Sequence, residues 1–139
     1  MKLLIKLGPN ATMPKRMHGG DAGIDLYVSE RVVVPPGKSV DIPTDVYMQM
    51  PEGVWGMIIG RSSTIRKYNM QVGIGVIDNG YRGELFINVT NHQDSEVVVE
   101  SGVRLAQFIL FNLVQPDILE VDVLDEGDRG DAGFGSTGR

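Results

Sequence analysis

The chain has 139 residues, of which 42% are hydrophobic, 22% charged and only 6% aromatic, a balance that suits one globular domain with an aliphatic core. It contains no cysteine, which excludes disulfides, thiolate nucleophiles and cysteine-ligated metals. The net charge of −5 argues against stable nonspecific binding to nucleic acid, which needs a broad basic surface, but leaves room for a small phosphate ligand held by local charge.

In chain order, the opening run Met1 to Leu7 is interrupted by Lys6. It therefore does not read as the apolar segment of a secretion signal, and no later stretch approaches a membrane-spanning length, so a cytoplasmic setting is expected. Val32-Val33-Val34 is a short β-prone run followed by the turn signal Pro35-Pro36-Gly37, and Pro51-Glu52-Gly53 marks another turn. One helix is expected, with Ser62-Ser63-Thr64 capping Ile65 to Asn69 before extended structure resumes at Gln71-Val72. Leu85, Ile87 and Val89 alternate with Glu84, Phe86, Asn88 and Thr90, the period of a half-buried strand. Val97-Val98-Val99 and Phe108-Ile109-Leu110-Phe111 are further strands, separated by Ser101-Gly102. Many short strands between regular turn signals predict an all-β sandwich or barrel. Residues after Leu124 differ in kind: apart from Phe134 the glycine-rich stretch to Arg139 has almost nothing to bury. It reads as a tail, or as an arm that becomes ordered on a ligand through one aromatic anchor.

Three segments have chemical potential. In Gly75 to Gly83, the pair Asn79-Gly80 is a strong hairpin signal of the type I′ kind, which sets Asp78 and Tyr81 opposite one another. Taken singly, Asp78 reads as a turn residue; its other reading is a carboxylate that takes a proton from water. Gly60-Arg61-Ser62-Ser63 is either an ordinary helix start or an anion site, combining free backbone N–H groups with a guanidinium fork. The glycine-rich tail lacks the lysine of a nucleotide-binding P-loop. His18 and His92 have no metal-ligand spacing, and neither is assigned a role.

The order of the segments is more specific than any one of them. Ala22-Gly23-Ile24-Asp25-Leu26, Gly60 to Ser63, Gly75-Val76-Ile77-Asp78-Asn79-Gly80-Tyr81-Arg82-Gly83, Gly102-Val103-Arg104-Leu105-Ala106-Gln107 and Arg129 to Gly138 together resemble the five ordered motifs of the trimeric dUTPases. The resemblance implies a distorted jelly-roll β-barrel or sandwich over residues 1–124, with a flexible arm over 125–139. It also implies a homotrimer whose subunits share active sites, and hydrolysis of dUTP to dUMP and pyrophosphate with Mg²⁺ carried on the triphosphate. Position by position, Asp78 resembles the base that activates the attacking water, and Tyr81 the residue beneath the deoxyribose. Gly75, Val76, Ile77 and Phe86 resemble the backbone segment that reads uracil. Arg61, Ser62, Ser63 and Gln107 match phosphate contacts, and Asp25 matches an acidic position near the water shell of the metal. Arg129, Phe134, Gly135, Ser136 and Thr137 match the closing arm, with Phe134 stacking on the base.

Two alternatives follow from the same resemblance. A dCTP deaminase shares the fold, but its catalytic glutamate corresponds to Asn88 here, which cannot serve as that acid and base. A regulatory nucleotide-binding protein of this fold that has lost catalysis is the other; the retained Asp78, Tyr81 and Arg61 speak against loss, while a further protein partner stays open.

Overall fold

A computed structural model of the chain describes residues 1–134. Its regular elements are β1 (Leu4–Leu7), β2 (Ile24–Tyr27), β3 (Val32–Val34), β4 (Ser39–Gln49), β5 (Val54–Gly60), α1 (Ser62–Tyr68), β6 (Met70–Val72), β7 (Gly75–Ile77), β8 (Glu84–Asn91), β9 (Val97–Val99) and β10 (Arg104–Asn112). One four-stranded sheet has the order β1-β4-β8-β6 and a second has β2-β10-β5-β7, while β3 and β9 form a separate pair. All pairings are antiparallel, so each strand can turn one face inward and leave the other wet.

The alternation expected around residue 87 is present. Leu85, Ile87 and Val89 of β8 are buried while Phe86 and Asn88 are exposed. They join Ile42, Val46 and Met48 of β4 in one core cluster with Leu26, Ile58, Leu105 and Phe108 of the second sheet. The sheets therefore close over a shared interior as the expected β-sandwich. Phe108 is its largest fully buried side chain, and a side chain of that class contributes about 1.5–3 kcal/mol by leaving water. Its ring occupies the space that a Cβ on Gly56 of the neighbouring strand β5 would need, so glycine at position 56 is a packing requirement.

Two local expectations are corrected. Ser62-Ser63-Thr64 does not cap the helix: the cap position is Arg61, with no side-chain bond to the first turn. The Thr64 hydroxyl instead donates to the Leu105 carbonyl of β10 at 2.6 Å, which ties the helix to the second sheet. Helix α1 ends where Asn69 turns left-handed at φ 47°. Nor is the Asn79-Gly80 turn a type I′ hairpin. β7 pairs with β5 in one sheet while β8 pairs with β4 and β6 in the other, so the chain crosses between sheets at this point. A primed turn serves to match the twist of two strands that pair directly; here none do, and neither Asn79 nor Gly80 has a positive φ.

Beyond Asn112 the described chain forms no strand or helix. It exposes Val114, Ile118, Leu119, Val121, Val123 and Leu124, an unusually apolar row for a segment facing water.

Candidate active site

The ends of β2, β5 and β10 meet the start of α1 around a cavity of about 600 Å³ whose lining includes His18, Asp25, Arg61, Ser62, Arg104 and Gln107. Asp25 sits at its floor with a side chain only 10% exposed. Arg61 Nε approaches Asp25 Oδ1 at 3.0 Å, and Arg104 Nη1 approaches Asp25 Oδ2 at 3.2 Å. Arg61 is fixed further by a 2.9 Å bond from Nη1 to the Arg104 carbonyl. Two guanidinium groups share the Asp25 carboxylate and, with Asp21 also lining the cavity, the charges balance, but the guanidinium N–H groups not spent on Asp25 are left to face a ligand. That arrangement favours an anion.

Gln107 completes this wall. Its amide donates to the Gly60 carbonyl at 3.2 Å and lies where a Cβ on Gly23 would stand, so Gly23 permits the close approach of β2 to β10. Arg104 and Gln107 are three residues apart and on a regular strand would face opposite ways. The register of β10 against β2 shifts between Arg104 and Ala106, and that bulge brings both to the cavity. Ser62 lines the cavity with Arg61, whereas Ser63 is exposed on the helix and does not line it.

Asp78 lies elsewhere. It is exposed and borders a second cleft of about 430 Å³ with Val76, Asn79, Trp55 and Leu113; the Trp55 ring there stacks on Phe111 at a centroid distance of 4.9 Å. Gly75, Val76 and Ile77 form β7 and lead directly into the Asp78 turn, which closes with Tyr81 N–H donating to the Asp78 carbonyl at 3.0 Å. The Tyr81 hydroxyl donates to the Glu84 carbonyl at 2.8 Å, and the ring end lies against Gly83, so the side chain is held before any ligand binds. Nearby, the Tyr47 phenol is raised from its ordinary value of 10.0 by desolvation, then by the charges of Glu84 and Asp45 and by Tyr81. Phe86 is a half-exposed side chain on β8.

One chain does not bring these two centres together. Ile77 lies opposite Gly56, and from Gly56 to Arg61 is five residues, about 16 Å at roughly 3.3 Å per residue. Asp78 continues in the opposite direction. The phosphorus atoms of a single triphosphate are linked through single bridging oxygens and cannot span that gap. Arg129 and Phe134 are both exposed, while Gly135, Ser136 and Thr137 lie outside the described residues.

Sequence reasoning gives no role to several lining residues, among them Arg104, His18 and Asp21. Arg104 lies within one of the ordered motifs, and its orientation toward the cavity depends on the bulge. His18 had no informative spacing; it reaches the cavity through a loop in which its N–H donates to Asp21 Oδ2 at 2.8 Å. Among the described residues no group of three or more His, Cys, Asp or Glu could hold a metal. Asp25 uses one lone pair on each oxygen for arginine and retains acceptor capacity for the water shell of a cation, which fits a metal brought by the ligand rather than one caged by protein.

A family model described as dUTPase matches residues 9–138. The chain is 47% identical to the deoxyuridine 5'-triphosphate nucleotidohydrolase of avian adenovirus 8, with 99% of this chain and 85% of that protein covered. It is 41% identical to the enzyme of the same name from rice, over 96% of this chain and 78% of the relative. Among solved structures, the Staphylococcus bacteriophage 80alpha dUTPase with dUPNHPP superposes with a TM-score of 0.94 at 32% identity, covering 99% of each chain.

Proposed function

The chain belongs to the dUTPase family, and we propose that it is a dUTP nucleotidohydrolase in which Asp78 activates the attacking water. The water oxygen bonds to the α-phosphorus, the bond from that phosphorus to the α,β-bridging oxygen breaks, and pyrophosphate leaves with dUMP as the other product. Asp78 accepts the water proton. The observation that carries this reading is the arginine-lined pocket built on Asp25, Arg61 and Arg104, found in a chain that also presents an exposed carboxylate on the β7–β8 crossing.

Phosphoryl transfer depends on positioning and charge neutralisation more than on covalent help. Arg61, Ser62 and Gln107 would hold phosphate oxygens, with Ser63 offering its backbone N–H at the helix start. Mg²⁺ on the triphosphate would supply further neutralisation, with Asp25 reaching its water shell. Tyr81, locked by Glu84 and Gly83, would lie beneath the deoxyribose and leave no room for a 2′-hydroxyl. Backbone groups of Gly75, Val76 and Ile77, with those near Phe86, would pair with uracil. Residues 125–139 would close as an arm, Phe134 stacking on the base, Arg129 reaching phosphate, and Gly135, Ser136 and Thr137 approaching the phosphates.

The separation of Asp78 from Arg61 supports a site assembled between subunits, as does the apolar row from Val114 to Leu124, which is uncovered among the described residues. A homotrimer with three shared sites satisfies both. Among the described residues no helix is long and apolar enough to cross a membrane, and a cytoplasmic enzyme is part of the same reading. The deaminase alternative gains no support: Asn88 is exposed and its amide donates to Asp41 Oδ1 at 2.8 Å, a structural pairing on the outer sheet face.

The test is pyrophosphate release from dUTP, UTP, dTTP and dCTP, with ammonia measured alongside for dCTP. The expected result is turnover of dUTP alone, lost in Asp78→Asn by about 10²-fold or more while dUPNHPP still binds. Ammonia from dCTP, or a fully active Asp78→Asn, would overturn the reading.

A further inference from the structure

Asp78 stands on a turn that has no hairpin to stiffen it. Among the described residues nothing holds its carboxylate, and Arg82, which donates to the Asn79 and Tyr81 carbonyls at 2.7 and 2.9 Å, only folds the turn onto itself. Among the described residues, the side-chain hydrogen bonds that tie the turn to a distant part of the chain come from Asn79. Its Nδ2 donates to the Pro51 carbonyl at 2.8 Å and to the Val54 carbonyl at 2.7 Å, using both hydrogens that a carboxamide offers. Those carbonyls flank the turn between β4 and β5, where Gly53 has φ 70°. The Gly53 carbonyl in turn accepts from Leu113 N–H at 2.8 Å, just past the end of β10. A chain of short bonds thus runs from β10 through the β4–β5 turn to Asn79, next to Asp78.

We propose that Asn79 is a positioning residue for the hydrolysis: it fixes the Asp78 carboxylate relative to the α-phosphorus by pinning the crossing between sheets to the β4–β5 turn. The inference deepens the assignment of Asp78 as base and rests on it. The side-chain chemistry is restrictive. Aspartate at 79 would turn an oxygen toward two carbonyl oxygens, serine has one hydrogen for two acceptors, and glutamine carries its amide one methylene too far.

The experiment is a double-mutant cycle on the full chain, with kcat and KM for dUTP and the affinity for dUPNHPP. Asn79→Ala and Asn79→Asp are expected to lower kcat on the order of 10- to 100-fold, the cost of moving a reacting group by about an ångström. KM and analogue affinity stay within about threefold. Asn79→Ser, whose hydroxyl stops one atom short of both carbonyls, falls with Asn79→Ala. In the Asp78→Asn background the same changes leave the residual kcat unaltered, because the group they position is already gone. Equal losses in both backgrounds would show a merely structural role and sink the proposal. So would normal kcat in the Asn79 variants while Asp78→Asn is impaired, and that outcome leaves the base assignment standing. Full activity in Asp78→Asn would instead remove the base assignment and this inference with it.

Discussion

Two inactive chains should restore each other. Asp78→Asn removes the carboxylate at one end of the second sheet, and Arg61→Ala removes the guanidinium at the other, about 16 Å or more away along β5 by the strand spacing. If each site takes its Asp78 from one subunit and its Arg61 from another, co-expression at equal levels builds sites that have both. With random assembly a site draws an intact Asp78 half the time and an intact Arg61 half the time, so about a quarter of sites are whole. Turnover at saturating dUTP, followed by pyrophosphate release, should therefore reach roughly 25% of the native value, against near zero for either variant alone. Separately purified variants mixed without subunit exchange should stay inactive. A co-expressed sample no more active than the sum of its parts would refute the shared-site argument, because a site contained in one chain is never repaired by mixing.

Removing residues from Arg129 onward should cut turnover on the order of 10³-fold, comparable to losing a phosphate-pairing arginine. The melting temperature should hardly move, since residues 129–134 are almost wholly exposed; normal kcat in the truncated protein would eliminate the closing arm. Asp25→Ala should destabilise by about 2–3 kcal/mol, because Arg61 and Arg104 lose a common partner. The effect falls below the ~3–5 kcal/mol of a fully buried pair because the Arg104 side chain is 37% exposed. Calorimetry should show a fall of roughly 5–10 °C, and an unchanged melting temperature would mean the clamp holds nothing.

Legibility followed the range of the interaction. Val32–Val34, Val97–Val99 and the alternation from Glu84 to Thr90 could be read because strand period and β-branching are local properties. Which strands pair could not, and the hairpin at Asn79-Gly80 shows the cost. Its dipeptide is right for a direct return, yet β7 and β8 belong to different sheets. The same holds for Ser62-Ser63-Thr64, where the Leu105 carbonyl, 41 residues beyond Thr64, takes the hydroxyl that a cap would use. In the candidate site, Asp25, Arg61, Ser62 and Gln107 were named from motif order and do share one cavity. Arg104 needed the β10 bulge to be recognised, and His18 a loop closed by Asp21. Nothing in residue identity announced that Asp78 would stand far from them.

The second sheet also constrains how the protein is made. β2 has β10 as its strand neighbour, with Asp25 opposite Gln107, so the first wall of the anion pocket waits for the last strand to be synthesised. Through most of translation β2 lacks its strand partner, and an incomplete chain exposes that edge to other chains. Pairings of such long sequence separation close slowly, in milliseconds to seconds. A ribosome that stalls before Arg104 therefore releases a chain with no pocket and an open sheet, whereas one that stalls after Leu124 releases a complete sandwich without its arm.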